Sequence, residues 1–506
     1  MLLNELTDRA ETQRTRALAS LDPARQASLG QYFTPARAAS LIAAMPQLPV
    51  GGRLRVLDPG AGSGSLTAAL VRQVLTQSPG LQLEVVAVEI DPSLAPSLEA
   101  TLDDAARTAE AAGGSLVAKV VLGDFIDMAT SGSEPALRTP FDLVVMNPPY
   151  GKLGSGSKGR VALSALGVDC PNLYAAFLAL GVQALRPGGQ LAAITPRSFA
   201  NGPYFASFRD FLLDRITIKK IHLFDSRSSV FSDTGVLQEN VVISGIRGGQ
   251  PSEITISSSR GDADDAVRRV VSYEDVVRPG DPERFIRIAT GEDDALSTQM
   301  ISSLPSTLKD LGLKVSTGKV VDFRSRPYLR EQPEATDLPL IYPGNLRNGL
   351  IEWPRKIRKA QGFAALDVAA QKLLLPSGCY VAIKRFSAKE ERRRIVAAVW
   401  DPAVNGPTSI AFENHLNIIH ANGQGIDRQL AVGLSLWLNS SVVDRAFRTF
   451  SGHTQVNATD LRSMRFPTIA ELNDLGHGQP LALPDQEKID ALVHPLVSTH
   501  AVEGLN

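Results

Sequence analysis

RLRVLDPGAGSGSLTAALVRQVLTQ (53–77) decides the architecture. Its first six residues form a short apolar run that ends in Asp58, and its last thirteen place Ala, Leu and Val at helical spacing. Between them lies a loop holding Gly60, Gly62 and Gly64. The same order of strand, loop and helix recurs outward from this stretch. Strand candidates at LEVVAVEI (83–90), AKVVLGD (118–124), FDLVVMN (141–147), GQLAAIT (189–195), IKKIHLF (218–224) and NVVISGI (240–246) alternate with helical stretches such as NLYAAFLALGVQALR (172–186). Near-continuous apolar strands bounded by helices predict an α/β domain with a mostly parallel sheet covered on both faces. In such sheets ligands sit beyond the carboxyl ends of the strands.

This domain is expected over residues 1–248, opened by one charged helix over 1–28. After 248 the texture changes. Residues 249–285 are rich in Ser, Asp, Arg and Gly, which suits an irregular connection or short antiparallel strands. Beyond them lie basic and aromatic patches at 322–330, 352–363 and 383–394, and then a single helix expected over 427–448. A second domain of mixed α+β character is expected over 249–506.

A chain of 506 residues is too long for one ordinary core. Its 52 Lys and Arg against 53 Asp and Glu announce no nucleic-acid partner, so any basic surface must be local. Cys170 and Cys379 stand alone and the seven His form no cluster, so neither a disulfide framework nor a catalytic metal is expected. No run approaches the ~20 apolar residues of a membrane span, and the first residues lack a signal peptide's apolar stretch. A soluble cytoplasmic monomer without a membrane partner is the expectation.

The loops after the strands carry the chemistry. Glycines from Gly60 to Gly64 let backbone amides approach a ligand closely. Dinucleotide sites and plain turns share such glycines, but GxGxG spacing with Asp58 ahead of it departs from the dinucleotide pattern. No Lys follows, as a phosphate-holding P-loop requires. Glu89 closes the second strand, placed either for a ribose diol or for a surface ion pair. Asp124 and Phe125 follow the third, a carboxylate for an amine and a ring to flank a base. In this order they describe a cradle for an adenosine with a small charged tail and no phosphates, as in S-adenosylmethionine.

The fourth strand stops at FDLVVMNPPYG (141–151), because paired prolines fix their backbone and lack amide hydrogens. With S-adenosylmethionine in the cradle, this corner faces the methyl group. A nucleobase amine is a weak nucleophile, since its lone pair is delocalised into the ring. The Asn147 side-chain oxygen and the Pro148 carbonyl, stiffened by Pro149, offer two acceptors for its two hydrogens. Tyr150 offers a ring face to the flat base. The competing reading is a strand stop with an incidental Asn.

With GQYFTP (30–35), DPGAGSGSL (58–66), VEID (88–91), GDF (123–125), NPPY (147–150), LRPGGQLAAITPRSF (185–199) and SGHTQVNATDLRSMRFP (451–467), the chain resembles the adenine-N6 DNA methyltransferases of restriction–modification systems, in the Eco57I-like and TaqI-like motif order. The resemblance implies a Rossmann-like methyltransferase domain followed by a target-recognition domain, and double-stranded DNA with a specific adenine site as substrate. It also implies a separately encoded restriction endonuclease as partner. Tyr32, Phe33, Thr34 and Pro35 would close over the methionine end of the cofactor, with Asp58 and Gly60 facing that end. Glu89 would take the ribose, Asp124 and Phe125 the adenine, and Gly62, Ile90 and Asn147 would complete the cofactor set. The target base would be extruded from the duplex and stacked on a later aromatic, Phe205 being preferred over Phe199 and Tyr204. Lys152, Lys158 and Arg160 in a Gly- and Ser-rich loop, with Lys384 and Arg385 in the second domain, are the DNA-contact candidates. Competing functions are methylation of an RNA adenine or a protein glutamine amide, a bifunctional enzyme with its own nuclease, and a DNA-binding module without turnover.

Overall fold

The computed structural model describes residues 2–224, 239–259, 267–387, 390–406, 409–452 and 454–503. The chain divides into two units, Met1–Thr290 and Gly291–Asn506. Among the described residues the first unit is organised by one nine-stranded sheet. Its strands are β1 (Gly52–Pro59), β2 (Leu81–Glu89), β3 (Ser115–Leu122), β4 (Phe141–Met146), β5 (Leu185–Pro196), β6 (Ile216–Phe224), β7 (Asn240–Arg247), β8 (Glu253–Ser259) and β9 (Val267–Ser272). They lie in the order β3-β2-β1-β4-β5-β7-β6-β8-β9. All pairs from β3 to β5 are parallel, β7 runs antiparallel between β5 and β6, and β8 returns parallel to β6. The chain builds outward from β1 to β3 and then resumes at β4 on the other side of β1. That reversal opens a crevice at the carboxyl ends of β1 and β4.

Helices α1 (Leu2–Ser20), α2 (Pro23–Leu29), α3 (Ala36–Ala43), α4 (Ser65–Gln77), α5 (Ala95–Ala111), α6 (Phe125–Ser131), α7 (Lys158–Ala165), α8 (Leu173–Ala184) and α9 (Ala206–Arg215) accompany the sheet. Strand periodicity of two divides the core between its faces. Leu143 and Val145 of β4 pack with Leu70 and Val74 of α4 and Ile42 of α3, whereas Val144 and Met146 pack with Leu178 of α8 and Leu212 of α9. Sequence and structure differ at three places here. The single helix expected over 1–28 is broken at Pro23, where Asp22 caps the amides of Ala24 and Arg25. Strand β5 begins at Leu185, ahead of the Pro-Gly-Gly expected to precede it, and absorbs those residues as a register shift against β4. The boundary expected at 248 falls inside the sheet, because β8 and β9 join it and the unit runs to Thr290. β9 is an edge strand whose residues are mostly exposed or half-exposed, so it lacks the apolar signal that marks the inner strands.

The second unit holds two smaller sheets among the described residues. One runs in the order Lys314–Thr317, Leu416–His420, Tyr380–Lys384, Ala397–Trp400, Leu350–Ile351, Leu346–Arg347. The other runs Leu329–Arg330, Gly362–Phe363, Leu338–Ile341, Ile410–Phe412, Leu374–Leu375. In place of the one helix expected over 427–448 there are two, Arg428–Leu438 and Ser441–Phe450. Asn439 ends the first by donating to Ser435 O (2.7 Å) and Ala397 O (3.0 Å). No helix among the described residues is long and apolar enough to cross a membrane.

The helix Arg428–Leu438 packs backbone to backbone on Ile469–Gly476. A Cβ on Gly433 would overlap the Leu472 carbonyl, and one on Gly476 the Gln429 carbonyl. We therefore expect Gly433→Ala to lower the stability of the second unit by about 2 kcal/mol or more, since the helix axes must part. Urea denaturation followed by the fluorescence of buried Trp437 on the same helix measures it.

Candidate active site

The loops after β1, β2, β3 and β4, together with the segment joining α2 to α3, enclose a cavity of about 260 Å³. Most residues expected from the sequence stand in its wall: Tyr32, Phe33 and Thr34 from the segment, Gly60 and Gly62 after β1, Glu89 and Ile90 at the end of β2, Asp124 and Phe125 after β3, and Asn147 and Pro149 after β4. Pro35, Asp58, Pro148, Tyr150 and Phe205 are outside that wall. Gln31, Ser63 and Phe177 are wall residues the sequence reading missed. Gln31 sits one residue before the quoted aromatic pair and carried a signal in GQYFTP. Phe177 lies mid-helix in an all-apolar stretch and carried none.

Glu89 is 3% exposed and anchors the cavity floor. Its Oε2 accepts the Gly62 amide at 2.8 Å and its Oε1 the Asp91 amide at 2.9 Å, with Gln31 Nε2 at 3.5 Å. Burial pushes its pKa up, and these backbone hydrogen bonds pull it back. Each carboxylate oxygen keeps acceptor capacity for a ligand hydroxyl. Asp124 caps α6, its Oδ1 accepting from Ile126 N (2.8 Å) and Asp127 N (3.3 Å). The Phe125 and Phe177 rings meet at 5.1 Å, tilted by 52°, and form an apolar corner beside it.

Asn147 is 8% exposed, and its amide nitrogen is fully engaged. Nδ2 donates to Tyr32 O at 2.7 Å and to Thr34 Oγ1 at 3.0 Å. A carbonyl only accepts, so the contact with Tyr32 O fixes which end of the amide is nitrogen. Oδ1 is left buried without a hydrogen-bond partner. The neighbouring Tyr150 amide donates to Gly30 O at 3.0 Å. Gly30 adopts φ +62°, and a Cβ there would collide with the Tyr150 carbonyl oxygen, so the two segments touch through bare backbone.

Rings line up behind this corner. Tyr150 lies 5.4 Å from Tyr32 and edge-on to Tyr174 at 6.4 Å, and Tyr174 stacks on Phe205 at 5.7 Å. The Tyr150 hydroxyl is buried without a partner, and desolvation pushes its pKa far up. Phe205, the preferred base-stacking ring, is 4% exposed and packed in the core, where it ends the short turn before α9 and stacks on Tyr174. Phe199 is equally buried, whereas Tyr204 is 61% exposed and meets Phe205 edge-on.

The DNA-contact candidates differ among themselves. Lys152 and Lys158 are exposed. Arg160, on α7, is committed to Asp169 by two hydrogen bonds of 2.6 and 2.8 Å. The loop expected around it is partly helical, with Ser157 as its cap. Lys384 ends a strand of the second unit, and Arg385 donates to Asn414 O at 3.2 Å. In the same patch Arg394 is buried, donating to Ser387 Oγ and Ser451 Oγ, and Ala388 and Lys389 lie outside the described residues.

Asp58 is 1% exposed, and its Oδ2 accepts the Thr67 hydroxyl at 2.7 Å. Burial first, and then the Glu89 charge, raise its pKa from 3.8 to about 7, against the pull of the Thr67 bond. The folded state thus keeps a proton that the unfolded chain releases. The stabilisation is complete below 3.8 and lost as pH rises through about 7. Asp58→Asn, which keeps an oxygen for Thr67, is expected to flatten the decline of Tm between about pH 4 and about pH 7. An unchanged slope in calorimetry would assign the decline to other groups.

Comparison with known proteins fits this geometry. The Eco57I restriction-modification methylase family matches residues 122–231, which include the NPPY corner. The type II methyltransferase M.PstI of Providencia stuartii is 37% identical over 97% of this chain and 97% of its own length. M.BsuBI of Bacillus subtilis, also a type II methyltransferase, is 40% identical over 89% of this chain and 90% of its own. The type IIL restriction-modification enzyme MmeI, solved with DNA, shares the fold with a TM-score of 0.54 at 12% identity, over 98% of this chain and 74% of that one. With five of its motif segments lining one cavity and relatives matched almost end to end, the chain belongs to the type II methyltransferases of restriction–modification systems.

Proposed function

We propose that the protein transfers a methyl group from S-adenosylmethionine to N6 of a flipped-out adenine in double-stranded DNA, as the modification partner of a separately encoded restriction endonuclease. The observation that carries this reading is the buried, unpartnered Oδ1 of Asn147, a residue of the cavity wall. A buried acceptor without a donor costs stability, on the order of 1–3 kcal/mol, and a substrate amine would satisfy it.

The cavity's chemistry suits the cofactor. Glu89 would accept from the ribose hydroxyls, Asp124 from the adenine amine, and Phe125 with Phe177 would flank the base. Tyr32, Phe33 and Thr34 would cover the methionine end. Bound there, S-adenosylmethionine supplies an electrophilic methyl on a sulfonium. The protein's part is to prepare the nucleophile. Asn147 Oδ1 and the Pro148 carbonyl accept the two amine hydrogens and favour the tetrahedral nitrogen that attacks. The Tyr150 hydroxyl is buried without a partner, so its ring rather than its hydroxyl is assigned to the base. The extruded base loses its stacking in the duplex, and the Tyr150 ring returns part of that. Lys152 and Lys158 would contact phosphates near the target, with Lys384 and Arg385 doing so from the second unit, which would read the sequence.

Incubation with methyl-labelled S-adenosylmethionine and mixed duplex DNA, followed by digestion to nucleosides, is expected to give N6-methyladenine. Label on cytosine, on RNA or on protein would overturn the assignment. Asn147→Ala is expected to lose about 100-fold or more in methyl-transfer rate while its cofactor affinity stays within about threefold. Tyr150→Phe, which removes an unpartnered buried hydroxyl, should transfer at the wild-type rate. Tyr150→Ala should fall by about tenfold or more through lost stacking. Equal activity in the two Tyr150 variants would remove the ring from the target pocket.

A further inference from the structure

The structure assigns Thr34 a positioning role: with the Tyr32 carbonyl it holds the Asn147 side-chain amide in the one orientation that leaves Oδ1 available. This inference rests on the adenine-amine reading above and concerns how that acceptor is set.

An asparagine amide has two nearly isosteric ends, and rotation by half a turn exchanges a donor for an acceptor. At this corner the exchange would bring Oδ1 against Tyr32 O, two oxygens at the 2.7 Å now spanned by the hydrogen bond. Thr34 Oγ1, 9% exposed and 3.0 Å from Nδ2, accepts the second amide hydrogen, so both hydrogens point into the segment. Oδ1 has no hydrogen-bond partner of its own. Neither NPPY nor its prolines supply this orientation, because proline rigidity fixes the backbone and not the terminal amide torsion.

The segment that does the holding is itself fixed on several sides. Arg25 in α2 pairs with buried Asp91 at 3.1 Å, Gln31 Nε2 reaches Glu89 at 3.5 Å, and the Ala36 amide donates to Glu11 at 3.2 Å. Gly30 O receives the Tyr150 amide. One stretch therefore meets the carboxylate at the cavity floor and the amide at the cavity edge. Thr34 also stands in the cavity wall, so the same side chain borders the ligand space and sets the acceptor.

The test uses the full chain. Thr34→Val keeps the shape and removes the hydroxyl, and Thr34→Ser restores it. At saturating S-adenosylmethionine, the single-turnover methylation rate of Thr34→Val is expected to fall about fivefold to tenfold, the worth of one net hydrogen bond. Measured at saturating cofactor, that loss is separate from any change in cofactor Kd, and Thr34→Ser should recover the rate. In protein labelled with ¹⁵N-asparagine, the side-chain NH2 pair that vanishes in Asn147→Ala should shift and exchange faster with water in Thr34→Val. A raised cofactor Kd with an unchanged saturated rate would overturn the inference and leave Thr34 as a wall contact only. Equal losses in Val and Ser variants, accompanied by a lowered Tm, would overturn it in favour of general packing. If the wild-type protein placed no methyl on adenine, the functional reading would fail separately. An unshifted NH2 pair would still sink the positioning role by itself.

Discussion

Everything at the active corner depends on a single amide whose two hydrogens are taken by a backbone carbonyl and a hydroxyl. Removing a polar group from water is unfavourable unless its partners are supplied, and here they are supplied to one end only. Asn147 Nδ2 is satisfied twice and Oδ1 not at all. That imbalance is the kind of polar mismatch that stable cores avoid and reaction sites retain. It exists because two segments far apart in sequence, 30–34 and 147–150, meet through backbone with no side chain between Gly30 and Tyr150.

The sheet makes the meeting possible. With β1 between β2 and β4, the glycine loop and the proline corner emerge side by side, and the loops after β2 and β3 follow on one flank. Burial then does electrostatic work of a consistent sign. Asp58 and Glu89 are both pushed toward the neutral form by desolvation and drawn back by hydrogen bonds. Glu89, with its backbone donors, remains the acceptor facing the cavity, whereas Asp58 is turned to Thr67 and serves the start of α4.

Much of this was legible in the sequence because strand ends announce themselves. An apolar run that stops at Asp58, Glu89 or Asn147 marks both the strand and the loop that carries its chemistry. Other features left no such mark. Phe177 is one apolar residue among many on α8, and only the packing shows that it faces the cavity. Phe205 and Tyr204 are adjacent aromatics, and sequence has no means to say which is buried. Arg160 read as a DNA-contact cation, yet Asp169 claims it, and in the basic patch 383–394 Arg394 is buried on two serines. Short strands after 248 were within the reading, but not that β8 and β9 would extend the first sheet, because their polar, Ser-rich sequence does not say which sheet they join. The second unit, built partly from strands of two residues, gives periodicity almost nothing to act on.

The file of rings from Tyr32 through Tyr150 and Tyr174 to Phe205 has an implication for how such a protein can vary. Stacked and edge-on aromatics transmit thickness as spacers do, because close-packed interiors are little compressible. A bulkier or slimmer residue at the Phe205 end must be absorbed by tilting Tyr174, and then Tyr150. The inclination of the Tyr150 ring is thus adjustable from a site two side chains behind it. A substitution at Phe205 would change that ring's pitch without altering the tetrapeptide itself.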